Sequence, residues 1–156
     1  MTGHRSAGSL TVAAACIALV GCGGPSPTIV KIGMAASATV NSHAGSPPRP
    51  LRVRVFRLAA TQGFSRTDFF SLDGDPKKTL GPDLVGFDDV IAAPGGTATY
   101  RRAFEPEAHF VGVVAAFTAI DQSAWRAAQP VKPATTNSFT ADLAGAAITL
   151  QPGGGK

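Results

Sequence analysis

The residue with the most informative chemistry is Cys22, which follows a short apolar run and precedes two glycines. The chain has only two cysteines, Cys16 and Cys22. A cysteine thiol can act as a redox group, a metal ligand, half of a disulfide or the acceptor of a lipid. Because these roles belong to different compartments, the residues around Cys22 decide which functions remain open.

The residues before Cys22 are organised like a secretory signal peptide. Arg5 supplies positive charge, and residues 10–20 form an apolar run within the roughly 7–15 residues typical of a signal core. A membrane-spanning helix needs about 20 apolar residues, so this run is too short. Residues 19–22 (LVGC) resemble a bacterial lipobox, which implies cleavage between Gly21 and Cys22. The alternatives are an ordinary signal peptide and a buried helix with an incidental cysteine.

Cleavage at this point would leave one cysteine in the mature chain. Cys16 would be removed with the signal peptide, and Cys22 would carry a diacylglycerol and an N-acyl chain. The mature protein then has neither a disulfide nor a thiolate metal site. Gly23, rather than an aspartate, follows Cys22, which in enterobacterial lipoproteins favours sorting to the outer membrane.

The expected domain organisation follows from the lipobox and from the glycine- and proline-rich ends of the mature chain. The segments are a lipoprotein signal peptide at residues 1–21, an acylated tether at 22–27, a β-sandwich at 28–151 and a flexible tail at 152–156. A six-residue tether reaches about 20 Å when extended, so we expect the domain to sit close to its membrane.

The other chemically capable residues do not form a catalytic or metal-binding set. His43 lies in a loop rich in proline and glycine, and His109 begins an apolar segment near Glu107. Residues 73–75 (DGD) lack the alternating acids and distal glutamate of a calcium loop. The carboxylates of residues 88–89 (DD) would point to opposite faces of a strand and could not share a proton. The sequence therefore predicts a protein that is not an enzyme, with no metal and no cofactor beyond its lipid.

Composition limits the class of partner and indicates the class of fold. The formal charge of +4 falls to +3 when Arg5 is removed, and the basic residues are scattered. Nucleic-acid binding would need a basic stripe and a set of stacking side chains, so we expect no nucleic-acid partner. The 18 glycines and 12 prolines separate short apolar segments, a pattern typical of an all-β domain.

Eight segments have the hydrophobic pattern of strands. Residues 109–120 are apolar on both faces, which predicts a central strand covered on both sides. Turn residues at 94–96 (PGG) and 144–145 (AG) predict hairpins. The fold class is thus an all-β, two-sheet antiparallel sandwich of about eight strands with one or two short helices. The predicted strands are residues 28–41, 51–58, 87–93, 97–104, 109–120, 124–131, 137–143 and 146–151.

The second strand predicts a helical cover over one sheet. Along residues 51–58 (LRVRVFRL) the polar face becomes apolar at Phe56 and Leu58. A helix over residues 66–72 would bury them, and a second helical turn should begin at 75–76 (DP). We interpret the neighbouring aromatic residues as packing groups rather than a ligand cage or binding hot spot. These are Phe64, Phe69, Phe70 and Trp125.

Several of these segments together resemble the TssJ family of type VI secretion lipoproteins, also called VasD or SciN. The resemblance covers Cys22 to about Val131, and beyond it only a generic terminal hairpin matches. The residues that carry it are the lipobox, 38–41 (ATVN), 50–58 (PLRVRVFRL), Phe64, 68–72 (DFFSL), 80–85 (LGPDLV), 94–95 (PG), 111–117 (VGVVAAF) and 125–126 (WR).

The resemblance implies a transthyretin-like sandwich anchored in the outer membrane and facing the periplasm. It also implies binding to the periplasmic C-terminal region of the inner-membrane protein TssM, in a trans-envelope complex with TssL. The first inter-strand loop is the expected contact. Its residues here are Asn41, Ser42, His43, Ala44, Gly45, Ser46 and Pro47. The alternatives are a periplasmic lipoprotein sandwich that binds a small ligand or glycan, and a transthyretin-like hydrolase, for which no clustered site is visible.

Overall fold

The structure, a computed structural model, describes residues 1–3 and 24–153. Eight strands form two four-stranded sheets, as the hydrophobic patterns predict. The first sheet has the order β4-β1-β7-β8 and the second β3-β2-β5-β6. The strands are β1 (Thr28–Ala36), β2 (Leu51–Leu58), β3 (Leu84–Ala92), β4 (Thr97–Phe104), β5 (Phe110–Ala115), β6 (Arg126–Pro130), β7 (Thr136–Ala144) and β8 (Ala147–Pro152).

Three short α-helices lie between β2 and β3, and a 3₁₀ helix (Gly81–Asp83) follows the third of them. The α-helices are α1 (Gln62–Arg66), α2 (Phe69–Gly74) and α3 (Pro76–Leu80). The single helix predicted over 66–72 is wrong, because the chain breaks at Thr67 and Asp68. Asp68 adopts an extended conformation and its carboxylate caps α2, so α2 begins only after it. The predicted turn at Asp75-Pro76 is confirmed as α3, which Asp75 caps.

One pairing departs from the antiparallel arrangement expected for every pair. Strands β1 and β7 run parallel, with Ile29 opposite Thr136 and Ala36 opposite Leu143. A parallel pair needs a long crossover, and here the connection is the whole stretch from β2 to β6. The local pattern of each strand could not indicate this, because alternation is the same in both kinds of ladder.

The two ends of the sandwich are distinct. The tether end carries the start of β1 at Thr28, the end of β4 at Phe104 and the start of β7 at Thr136. The loop end carries the connection 37–50 and the turn 93–96, joined by the hydrogen bond from the amide of Gly95 to the carbonyl of Ser37. A nine-residue strand rises about 30 Å, so β1 separates the tether from the first loop by that distance.

The buried apolar side chains form two clusters. The larger lies between the sheets and includes Ile32, Val53 and Leu143. The smaller lies between the second sheet and the helices. It confirms the prediction that a helical cover buries the apolar end of β2. Its fully covered members are Phe56, Leu58, Phe64, Leu72, Leu80 and Val114.

Two predicted strands are shorter than the patterns suggested. The segment 28–41 ends as a strand at Ala36, and 109–120 forms a strand only over Phe110–Ala115. In both cases the chain turns at the loop end, where the amides of Ser37 and Ala116 still bond to Leu143 and Arg52 of neighbouring strands but the regular ladder ends. Alternation of small apolar residues continues into these turns and extends the predicted strands.

Part of the predicted organisation lies outside the described residues. This applies to signal residues 4–21, to the cleavage and lipidation positions Gly21 and Cys22, to Gly23 and to tail residues 154–156. Among the helices that the structure does describe, none has the length and apolar character of a membrane span.

Candidate functional site

The predicted contact loop is the most exposed connection at the loop end. Every residue of 42–50 is solvent-exposed. The loop is held by local hydrogen bonds, from the hydroxyl of Ser42 to the carbonyl of Thr39 and from the amide of Ser46 to the carbonyl of His43. Gly45 has a φ of 79°, which glycine adopts without steric cost. Exposed side chains on a rigid scaffold are the usual carriers of recognition.

Asn41 differs from the rest of the predicted contact set because it is buried. Its side-chain oxygen accepts hydrogen bonds from the amide of Thr118 at 2.7 Å and from the Thr118 hydroxyl at 3.0 Å. Its φ of 55° is a left-handed conformation that asparagine tolerates better than most residues. Asn41 therefore positions the loop against the segment 116–125, and the exposed surface begins at Ser42.

Replacing Asn41 with alanine is expected to lower the free energy of unfolding by about 1–3 kcal/mol, because the Thr118 amide loses its acceptor. The left-handed backbone would add strain in alanine. Urea unfolding monitored by circular dichroism measures the change, with Ser42→Ala as the exposed control. A loss no larger than that of the control would contradict a structural role for Asn41.

Ion pairs fix the helices to the second sheet. The guanidinium of Arg52 lies 2.6 Å from a carboxylate oxygen of Asp73, at the end of α2. Arg54 makes a two-point contact with Asp89, at 2.8 and 3.0 Å, and also donates to the main-chain oxygen of Asp73. The hydrogen bond from Arg54 lowers the pKa of the Asp89 carboxyl. Arg52 and Arg54, on the outer face of β2, therefore both have acidic partners and help to attach α2 to the sheet.

A second charged network lies between the edge strands β3 and β4. The buried guanidinium of Arg57 contacts Asp88 and Glu105, and Asp88 also accepts hydrogen bonds from Tyr100 and Arg102. Burial raises the pKa of the Tyr100 phenol well above its usual range, and the hydrogen bond to Asp88 raises it further. Each charged side chain in this network has a partner of opposite charge. We therefore interpret the network as a structural link between the two sheets and not as a catalytic site.

Gly86 makes room for this network. A Cβ at this position would overlap the guanidinium of Arg57. Asp88 and Asp89 lie in separate networks on the two faces of β3, as the sequence predicted.

The remaining candidates for chemistry are dispersed or already bonded. His43 is in the loop at the loop end, whereas His109 is at the tether end, where its amide bonds to Leu58. Asp73 is paired with Arg52, and Asp75 caps α3. Over residues 1–3 and 24–153, no group of three histidine, cysteine or acidic residues could hold a metal ion.

Sequence reasoning missed an aromatic cleft at the loop end. Phe70, interpreted as a packing residue, is 69% exposed, so that interpretation is wrong for it. Phe64 is buried, and Phe69 packs edge-on against both Phe70 and Trp125. The cleft of about 210 Å³ is lined by Asp68, Phe69, Phe70, Ile120, Asp121, Ser123 and Trp125. α2 is too short for its hydrophobic pattern to show which aromatic residue faces solvent.

Two larger clefts lie on the surface toward the tether end. One, of about 390 Å³, is lined by both polar and apolar residues, including Lys132, Asn137 and Phe139. The other, of about 330 Å³, lies beside Thr61 and Phe110. Small-molecule sites are mostly apolar and concave, with a few convergent polar groups. Both clefts are wide open to solvent and have mixed linings, so neither stands out as a small-molecule site among the described residues.

Comparison with known protein families identifies the chain. The model of the type VI secretion lipoprotein family (VasD, EvfM, TssJ) matches residues 28–146. The chain belongs to this family. TssJ proteins are secretion lipoproteins rather than a family of enzymes, and the match places the chain among components of the cell envelope. The resemblance noted in the sequence is thereby confirmed. No curated protein matches the chain at a significant level.

Solved structures of TssJ-like proteins share the fold. TssJ1 from Pseudomonas aeruginosa is 30% identical, with a TM-score of 0.79 over 83% of this chain and 99% of that chain. Serratia marcescens Lip, a membrane-bound component of the type VI secretion system, is 24% identical, with a TM-score of 0.75 over 80% and 98% of the two chains.

A third match is a chain in the structure of the TssM C-terminal domain from EAEC. It is 23% identical, with a TM-score of 0.65 over 81% of this chain and 99% of that chain. The TssJ fold accounts for the two-sheet architecture described above.

Proposed function

We propose that the protein is an outer-membrane lipoprotein that binds the periplasmic region of TssM and so links the two membranes of the type VI secretion complex. Cys22 would carry the acyl chains, and residues 42–47 would contact the partner. TssL would belong to the same complex through TssM. The family assignment supports a role in the type VI secretion complex. The geometry of the sandwich supports anchoring at one end and partner binding at the other.

The observation that carries the proposal is the placement of the tether and the loop at opposite ends of β1. The described chain enters the fold at Thr28, where the hydroxyl accepts a hydrogen bond from the amide of Ala134. With the acyl chains on Cys22, only the six residues 22–27 would separate Thr28 from the lipid, so the tether end would face the membrane. The exposed loop then points away from that membrane, by about the 30 Å length of a nine-residue strand.

The proposed contact suits a docking surface because it is exposed yet anchored. Residues 42–47 are solvent-exposed, whereas Asn41 is buried and accepts two hydrogen bonds from Thr118. A loop fixed at its base loses less conformational freedom on binding than a free one. The fold match to a chain in a TssM C-terminal domain structure is compatible with this partner.

Replacing residues 42–47 with a glycine–serine segment of equal length is expected to weaken TssM binding about 100-fold or more, since hot-spot side chains dominate interface energy. Thermal unfolding should change little, because these side chains are exposed and Asn41 is retained. Calorimetric titration with the periplasmic TssM region measures the affinity. The paired control is Glu107→Ser with Lys132→Ser at the tether end, which should bind normally. Binding retained by the loop variant would refute the proposed contact.

A further inference from the structure

The aromatic cleft of α2 and the segment 116–125 is rigidly built. Asp68 caps α2 by accepting hydrogen bonds from the amide and the hydroxyl of Ser71, at 3.0 and 2.7 Å. The ring centroids of Phe69 and Phe70 are 5.5 Å apart, and Phe69 lies at the same distance from Trp125. Edge-to-face contacts of this kind favour a fixed arrangement. The contact with Phe69 therefore fixes the position of the Phe70 ring, which stays exposed to solvent.

The charge of the cleft favours a basic partner. Asp68 and Asp121 lie in its lining, and no lining residue is basic. Arg126, which follows Trp125 in the chain, already has partners within the protein, because its guanidinium donates to the main-chain oxygens of Phe64 and Thr67 and stacks on the Trp125 ring. Asp121 has no ion-pair partner within residues 24–153. A lysine or arginine could pair with Asp121 and also approach the exposed ring of Phe70.

The cleft is continuous with the proposed contact loop. Thr118 donates its amide and hydroxyl to Asn41 at the base of the loop. Two residues further on, Ile120 lines the cleft. The exposed loop, the Asn41–Thr118 contact and the aromatic cleft therefore form one surface across the loop end.

We propose that the aromatic cleft is a second contact site for the partner that binds the loop. It would take an apolar side chain that stands beside a lysine or arginine. The apolar group would pack on Phe70 and Ile120, and the cation would pair with Asp121. This inference rests on the proposed function, because it assigns the cleft to the same partner.

The test uses the full-length lipoprotein in detergent and the periplasmic C-terminal region of TssM from the same bacterium. Phe70→Ala is expected to weaken binding about 10-fold or more, as for a central aromatic contact. Asp121→Lys is expected to weaken binding and to reduce its dependence on salt, because an attractive charge pair is lost. The matched control is Ile91→Ala. Ile91 is 61% exposed and lies on β3, the edge strand of the second sheet farthest from β6 and the cleft. This variant should bind within twofold of the wild type.

The outcomes separate the two proposals. If the loop replacement loses binding while Phe70→Ala and Asp121→Lys bind like the wild type, the cleft proposal is wrong and the loop contact stands. If the wild-type protein does not bind the TssM region, both proposals are wrong. If sedimentation shows self-association that Phe70→Ala abolishes, a second copy of the chain occupies the cleft, which also overturns the proposal.

Discussion

Replacing Phe64 with alanine is expected to lower the free energy of unfolding by about 3–5 kcal/mol, the range for truncating a buried phenylalanine. Phe64 is 1% exposed and its ring packs edge-on against Phe56, with 5.5 Å between centroids. The tip of the ring fits over Gly112 of β5, where a Cβ would lie 2.8 Å from the Phe64 ring. Alanine would leave a cavity between sheet and helices that neither rigid layer can close.

The matched control is Phe70→Ala, which removes the same ring from an exposed position in the neighbouring helix α2. Exposed substitutions usually change stability by less than about 0.5 kcal/mol. Urea unfolding should therefore separate the two variants clearly, with similar slopes if both unfold in one step. If Phe64→Ala cost no more than Phe70→Ala, the helices would not be held to the sheet by this cluster.

Local patterns predicted most of the strands because the spacing of side chains reports directly on burial. In β7, alternate residues are buried and exposed along all nine positions, and β2 and β4 have the predicted bounds. The parallel pairing of β1 with β7 could not be predicted in this way. Strand order depends on contacts between distant segments, which alternation within one strand does not encode.

The candidate surface was predicted only in part, for a related reason. Proline and glycine composition indicated the loop, yet the burial of Asn41 depends on Thr118, 77 residues away. The exposure of Phe70 depends on where α2 begins, and Asp68 sets that boundary by capping. A five- or six-residue helix is too short for periodicity to distinguish its buried face from its exposed face.

Replacing Cys22 with serine is expected to move the protein out of the outer-membrane fraction. The serine hydroxyl would not form the thioether that carries the diacylglycerol, so the variant would lack its acyl chains. Each buried methylene contributes about 0.8 kcal/mol to membrane attachment, and one chain alone holds a protein only marginally. Fractionation followed by immunoblotting measures the distribution.

Cys16→Ser is the matched control, because it removes the other thiol from within the apolar run. This variant should remain in the membrane fraction, since the lipobox residues 19–22 are intact. Cys22→Ser protein that stayed in the outer-membrane fraction would contradict the lipobox. The released variant should still bind the periplasmic TssM region in solution, because the loop end is about 30 Å from the tether. Loss of binding together with loss of the anchor would instead mean that attachment to the membrane shapes the contact surface.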